Sequence, residues 1–155
     1  MAKAIFFSGM GTVYFLQKPS GLELYTATKP ALRFLKRRGY LLVLGTPKWQ
    51  EYQWLQGQLS THNFSLLYWN GKEESLLHLI RERKISLAES YLLTDNAFLS
   101  EFLFWDWQVI LLLTGKGIMT WQGLREKEIV QIEDVCKDIY SAAISIVIRA
   151  LGNYD

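Results

Sequence analysis

The chain has 155 residues, with 17 lysines and arginines, 15 aspartates and glutamates, and a formal net charge of +2. This length predicts one domain, and the near-neutral charge argues against a nucleic-acid-binding protein, which is usually strongly basic. Half of the residues are hydrophobic, which excludes a disordered chain. No apolar run approaches the roughly 20 residues of a membrane-spanning helix. The single cysteine, Cys136, excludes an internal disulfide and a cysteine-rich zinc site, so we expect a cytoplasmic protein.

Short apolar runs alternate with longer segments of helical periodicity, which is typical of an α/β domain with a parallel sheet. Each run is nearly continuous in apolar side chains and ends at a polar or glycine-containing break, as expected for strands that helices cover on both faces. The five predicted strands are Ala4–Phe7, Tyr40–Leu44, Ser65–Trp69, Ser90–Leu93 and Gln108–Leu113.

Helical periodicity fills the intervals between these runs. Lys29–Arg38 has Pro30 in its first turn and basic residues in its last turn, which are signals of a helix start and a helix end. The longest helical pattern runs from about Glu126 to Leu151, includes Cys136 and has room for a break. The other predicted helices are Trp49–Leu59, Glu73–Lys84 and, approximately, Asn96–Phe104. The stretch Gly11–Thr28 is irregular, and a loop of this length usually carries function or local structure.

Short polar motifs follow the predicted strands in a fixed order. Ser8–Thr12, which reads Ser-Gly-Met-Gly-Thr, follows the first strand, Thr46 the second and Lys72 the third. Asp95 follows the fourth strand, and the fifth runs into Thr114–Gly117. This order resembles the haloacid dehalogenase (HAD) superfamily, whose first motif is Asp-x-Asp-Gly-Thr, and in particular its heptose-bisphosphate and histidinol-phosphate phosphatases. The resemblance implies one three-layer Rossmannoid domain over residues 1–155, with strand order 3-2-1-4-5 and no cap domain.

The resemblance also marks positions at which this chain departs from active members. Ser8 stands in place of the family's nucleophilic aspartate and Met10 in place of its acid/base aspartate. A thioether neither donates nor accepts the proton that a leaving alkoxide needs. Leu99 replaces a further acid, which leaves Asp95 as the one remaining candidate metal ligand. We therefore predict a catalytically inactive HAD-like protein that needs no cofactor and acts by binding, as a scaffold, subunit or regulator.

Two other functions stay open at this point. One is a Mg²⁺-dependent phosphatase of a small sugar-phosphate-type substrate with an atypical active site. The other is a retained site for a phosphorylated ligand, because Thr12, Thr46 and Lys72 would converge at the carboxyl ends of the strands. The competing interpretation of these three residues is that they serve only packing and capping.

Aromatic residues are 14% of the chain and include six tryptophans. Tryptophan is large and its indole N–H needs a partner, so we do not expect all six to be buried. Trp49, Tyr52 and Trp54 share one predicted helix, and Trp105 and Trp107 directly precede the fifth strand. Exposed aromatic side chains with few charges around them are typical of interfaces. We predict that these five residues contact a protein partner or a second copy, with core packing as the alternative.

Overall fold

The computed structural model describes residues 1–59 and 65–152. Strands in this part of the chain are β1 (Ala4–Ser8), β2 (Tyr14–Gln17), β3 (Gly21–Leu24), β4 (Leu41–Gly45), β5 (Leu66–Trp69), β6 (Tyr91–Thr94), β7 (Gln108–Leu112) and β8 (Ile132–Cys136). All but β2 and β3 form a parallel sheet in the order β5-β4-β1-β6-β7-β8. The five predicted strands are therefore present in the predicted order, and β8 adds a sixth at one edge.

Helices connect these strands on both sides of the sheet. In the described residues they are α1 (Thr28–Arg37), α2 (Trp49–Leu59), α3 (Glu73–Arg83), α4 (Leu99–Phe102), α5 (Gly117–Gly123), α6 (Glu126–Ile129) and α7 (Ile139–Gly152). The predicted helix around Asn96–Phe104 is shortened to α4, and α5 was not predicted. None of the helices in the described segments is long and apolar enough to cross a lipid bilayer.

The central strand β1 shows why the domain has three layers. Successive side chains of a strand point to opposite faces. Ile5 and Phe7 pack in an apolar cluster with α1, α2 and α7, whereas Ala4 and Phe6 pack in a second cluster with α3 and α4. All four residues are fully buried. Because both faces are covered, only the ends of the strands reach solvent, and the carboxyl ends are where open α/β sheets bind ligands.

The prediction of one helix from about Glu126 to Leu151 is wrong in its middle. The segment contains α6, then β8, then α7, and Cys136 ends the strand instead of lying on a helix. As an edge strand, β8 tolerates polar side chains. It therefore lacks the continuous apolar run by which the other strands were predicted. Its two acidic residues face Arg149 of α7, with nitrogen–oxygen distances of 2.7 Å to Glu133 and 3.6 Å to Asp134.

The irregular stretch Gly11–Thr28 has local structure of its own. It contains the antiparallel hairpin of β2 and β3. The carbonyl oxygen of Val13 anchors the base of this hairpin, because it accepts hydrogen bonds from Tyr25 N at 3.2 Å and from Thr28 Oγ1 at 2.7 Å. The hairpin is therefore held beside the carboxyl end of β1.

The strand position of Cys136 predicts an unreactive thiol. Burial, the charge of Asp134 and a 3.6 Å hydrogen bond from the thiol to that carboxylate raise the pKa of Cys136 to about 12. Because the thiolate is the reactive form, we expect thiol reagents at neutral pH to modify the native protein at least about a hundredfold more slowly than the urea-unfolded chain. Stopped-flow or spectrophotometric thiol titration measures both rates. Equal rates would contradict the buried placement.

Candidate functional site

Hydroxyl groups form a buried, hydrogen-bonded cluster where β1 and β6 end. Ser8 Oγ lies 2.7 Å from Thr12 Oγ1 and donates to Thr94 Oγ1 at 2.9 Å. Thr94 in turn donates to the carbonyl oxygen of Ala97 at 2.8 Å. Ser8, Thr12 and Thr94 are all buried. The side-chain partners of Ser8 are thus two hydroxyls and no base, although an activated serine needs an adjacent base.

Asp95 ties together the loops that follow β1, β6 and β7. Its buried carboxylate accepts a hydrogen bond from the Lys116 backbone at 2.8 Å on Oδ2, and Thr12 Oγ1 lies 3.5 Å from Oδ1. Gly11 and Gly115 approach the carboxylate so closely that a Cβ on either would collide with Oδ2. Asp95 is therefore a structural anchor whose two oxygens already have partners.

This arrangement does not fit the divalent metal ion that the HAD resemblance implies. Mg²⁺ prefers octahedral oxygen ligation with one or two carboxylates and several waters. Asp95 is buried, and no group of three or more His, Cys, Asp or Glu residues that could hold a metal occurs within the described segments. We therefore assign no metal-dependent step to this site.

Met10 separates two clefts at the carboxyl edge of the sheet. Its side chain, in the place of the family's acid/base aspartate, is partly exposed and lines both clefts together with Ala97. The first cleft has a volume of about 360 Å³, and its walls include Ser8, Thr46, Pro47, Glu51 and Phe98. The second has a volume of about 390 Å³, and its walls include Phe15, Tyr25, Asp95 and Lys116.

Glu51 brings a carboxylate into the first cleft that the sequence did not indicate. Its Oε1 accepts a 2.6 Å hydrogen bond from the phenol of Tyr14, which the hairpin carries in from the other side. A Cβ at Gly9 would overlap this phenol, so the glycine makes room for it. Burial, followed by the hydrogen bond and the charge of Glu51, raises the pKa of Tyr14 far above its usual range, although a hydrogen bond with Thr46 acts in the opposite direction.

The three predicted anion-binding residues do not meet in one cleft. Thr12 is enclosed in the hydroxyl cluster, whereas Thr46 lines the first cleft and accepts a hydrogen bond from the Lys48 backbone at 3.2 Å. Lys72 lines a different cleft of about 250 Å³. Phe98 and Pro47 line both of those clefts.

The ring of Phe98 packs against Trp69, and two glycines leave the space that the ring occupies. Phe98 has a φ of 73°, which is uncommon for a bulky residue, and its ring centroid lies 4.4 Å from that of Trp69. A Cβ at Gly45 or at Gly71 would press against the same ring. The next residue, Leu99, is buried in the apolar cluster that contains Trp69, so an acidic side chain at that position would enter the core.

The predicted interface residues on α2 are partly exposed; they are Trp49, Tyr52 and Trp54. Trp49 is 48% exposed and stacks on Tyr52, with ring centroids 4.9 Å apart. Tyr52 donates a 2.6 Å hydrogen bond to the carbonyl oxygen of Leu66, which fixes its ring. Trp54 is half-buried and packs edge-on against Tyr14 at 5.3 Å. Trp49 is thus the exposed member of this group, whereas Tyr52 and Trp54 are half-buried.

The other two predicted interface residues, Trp105 and Trp107, lie mostly in the core. Trp107 is 4% exposed and its indole N–H donates to the carbonyl oxygen of Phe102 at 2.8 Å, so the prediction of a surface contact for Trp107 is wrong. Its ring faces those of Phe6 and Phe102, which explains the burial. Trp105 is half-buried and packs against Phe102 at 5.1 Å.

The parallel sheet and its strand order give the chain the same fold as solved structures of HAD-family phosphatases. The chain resembles the D,D-heptose 1,7-bisphosphate phosphatase of Burkholderia thailandensis with a TM-score of 0.69 and 18% identity, over 94% of this chain and 98% of that one. It resembles a HAD phosphatase of Thermococcus onnurineus with a TM-score of 0.62 and 14% identity, over 93% and 97% of the two chains. No family model and no curated protein matches the sequence.

The pair of Tyr14 and Glu51 predicts a pH-dependent contribution to stability. Tyr14→Phe removes the hydrogen bond to the partly buried carboxylate of Glu51, and we expect a loss of about 1–3 kcal/mol in the free energy of unfolding near neutral pH. The folded protein holds the pKa of Tyr14 above that of an unfolded tyrosine, about 10. This contribution is complete below about pH 10 and declines above it, because only the unfolded chain then loses the proton.

Urea denaturation of wild type and variant, at about pH 8 and about pH 11, measures both effects. The difference between the two proteins narrows at the higher pH if the phenol keeps its proton in the folded state. Tyr140→Phe, at an exposed position on α7, is the matched control and changes little at either pH. A constant difference between wild type and Tyr14→Phe would contradict the raised pKa.

Proposed function

We propose that this chain is a HAD-fold protein without phosphatase activity that acts by binding, as a scaffold, subunit or regulator. The observation that carries the proposal is the state of Ser8, whose hydroxyl is enclosed between Thr12 and Thr94. Phosphoryl transfer needs an activated nucleophile, a proton donor and a cation that neutralises charge. Loss of one member of such a unit can cost on the order of 10⁶ in rate.

The surroundings of Ser8 support the proposal further. Met10 supplies no proton, and Asp95 serves as an anchor between loops. The donor set around Asp95 does not suit Mg²⁺, so we expect no cofactor requirement. A buried thiol as the single cysteine suits a reducing compartment, and we place the protein in the cytoplasm.

A protein partner or a second copy is part of the proposal. The exposed ring of Trp49, stacked on Tyr52 and edge-on to Tyr68 at 5.0 Å, is a rigid aromatic surface. Rigid aromatic side chains of this kind supply much of the binding energy at interfaces. Trp105 contributes the half-buried edge of a second aromatic group.

Phosphate release from a panel of phosphomonoesters, including a sugar bisphosphate, tests the absence of catalysis. We expect wild-type protein to release no phosphate above the buffer background, with Mg²⁺ or with EDTA. A Ser8→Asp, Met10→Asp double variant restores two of the three carboxylates of the family that this chain lacks. Leu99 stays unchanged, because an aspartate there would be buried in the apolar core.

Ser8→Asn with Met10→Asp is the control, since it matches the size of the first replacement without its charge. Activity in the Asp pair but not in the Asn pair would show that the remainder of the cleft can still position a phosphate ester. Mg²⁺-dependent turnover by the wild type at enzyme-like rates would overturn the proposal and favour a phosphatase with an atypical site.

A further inference from the structure

The outer edge of β8 is the place at which another strand could extend the six-stranded sheet. In the described residues β8 is the last strand of the sheet, and it pairs on its inner side with β7. An edge strand presents backbone N–H and C=O groups that can pair with a strand of another chain. Apolar side chains beside β8 favour such pairing, since Val130 is 71% exposed and Ile148 of α7 is 63% exposed. The edge therefore suits a second copy of the chain, unless its backbone groups already have partners.

The backbone groups of β8 that face away from β7 belong to Glu133 and Val135. Alternate residues of a strand direct their backbone N–H and C=O groups to opposite sides. The carbonyl oxygen of Cys136 faces β7, because it accepts a 2.9 Å hydrogen bond from Leu113 N. Val135 and Glu133 consequently face the outer edge. The Glu133 C=O and the Val135 N–H flank Asp134, and an added strand would need both of them.

Side chains of this chain already occupy both of these backbone groups. Arg149 Nη2 donates to the carbonyl oxygen of Glu133 at 3.0 Å, and the Val135 N–H donates to Asp134 Oδ1 at 2.8 Å. A second nitrogen of the same guanidinium, Nη1, donates to Glu133 Oε1 at 2.7 Å. The middle of the outer edge is thus closed to an incoming strand.

Ser145 joins the two side chains that close the edge. Its hydroxyl donates to Asp134 Oδ2 at 2.6 Å and accepts a hydrogen bond from Arg149 Nε at 3.2 Å. Ser145 and Arg149 are four residues apart on α7, so they lie on the same face of that helix. A planar guanidinium can donate to a carboxylate, a carbonyl oxygen and a hydroxyl at once, which a lysine ammonium does less well. We call Asp134, Ser145 and Arg149 the edge clamp.

We propose that the edge clamp is an autoinhibitory contact, which prevents the sheet of one copy from pairing through β8 with the sheet of a second copy. Without the clamp, the two β8 strands would run antiparallel across a two-fold axis, each using the same edge. The inference goes beyond the proposed function and does not depend on it. The aromatic surface at Trp49 lies on α2, which connects β4 and β5 at the opposite end of the strand order.

Sedimentation of an Asp134→Ala, Arg149→Ala double variant tests the inference. The substitutions free both backbone groups and leave the net charge unchanged. We expect the mass of the variant to be at least about twice that of wild type at equal protein concentration. Circular dichroism and the melting temperature check that the variant is folded. Glu74→Ala with Arg83→Ala is the matched control, because it removes the same two charges from exposed positions on α3 and is expected to keep the wild-type mass.

Val135→Pro, added to the double variant, tests whether the association runs through the edge. Proline has no N–H, and an edge strand tolerates it where that N–H would face outward. We expect the triple variant to return to the wild-type mass. Association that persists with the proline, equal association of the control, or a folded double variant that keeps the wild-type mass would each overturn the inference.

Amide hydrogen exchange of wild-type protein gives a measurement that needs no variant. We expect the Val135 amide to exchange at least about tenfold more slowly than in an unstructured peptide, because Asp134 accepts its hydrogen bond. An unprotected Val135 amide would refute the inference even if the double variant did not fold. Phosphate release is unaffected by any of these outcomes, so the inference and the proposed function fail separately.

Discussion

The buried carboxylate of Asp95 is the constraint on which the geometry of the site depends. A charge can be buried only with hydrogen-bond partners, so the loops after β1 and β7 must bring Thr12 and the Lys116 backbone to it. Gly11 and Gly115 are required for the same reason, since a side chain on either would displace the carboxylate. Asp95 thereby ties these loops together at the carboxyl edge of the sheet.

The other residues at this edge also differ from those of the family, because hydroxyl and apolar side chains stand where carboxylates are expected. Ser8 and its hydroxyl neighbours satisfy one another, and Met10 and Phe98 cover the space between the clefts with apolar surface. The second carboxylate, that of Glu51, enters from α2 and is paired with the phenol of Tyr14 from the hairpin. These hydrogen bonds and apolar walls support the proposal that the chain acts by binding and does not turn over phosphate esters.

Most of the fold could be predicted because buried parallel strands have a distinctive sequence. β1, β4, β5, β6 and β7 are covered on both faces, so their apolar runs are continuous and easy to recognise. β8 was not predicted, because an edge strand carries polar residues such as Glu133, whose partner Arg149 lies on the following helix. The hairpin was not predicted because β2 and β3 are short and only partly buried.

The sequence by itself determined five of the six strands of the sheet and the absence of carboxylates at positions 8, 10 and 99, because strand burial is a local property. The order of those five strands followed from the resemblance to the HAD superfamily. Only the tertiary structure decided that Tyr14 meets Glu51, that Thr46 and Lys72 line different clefts, and that Trp107 is buried. These contacts join residues far apart in the chain, and they depend on how side chains fill the space between loops, which no local pattern of residues encodes.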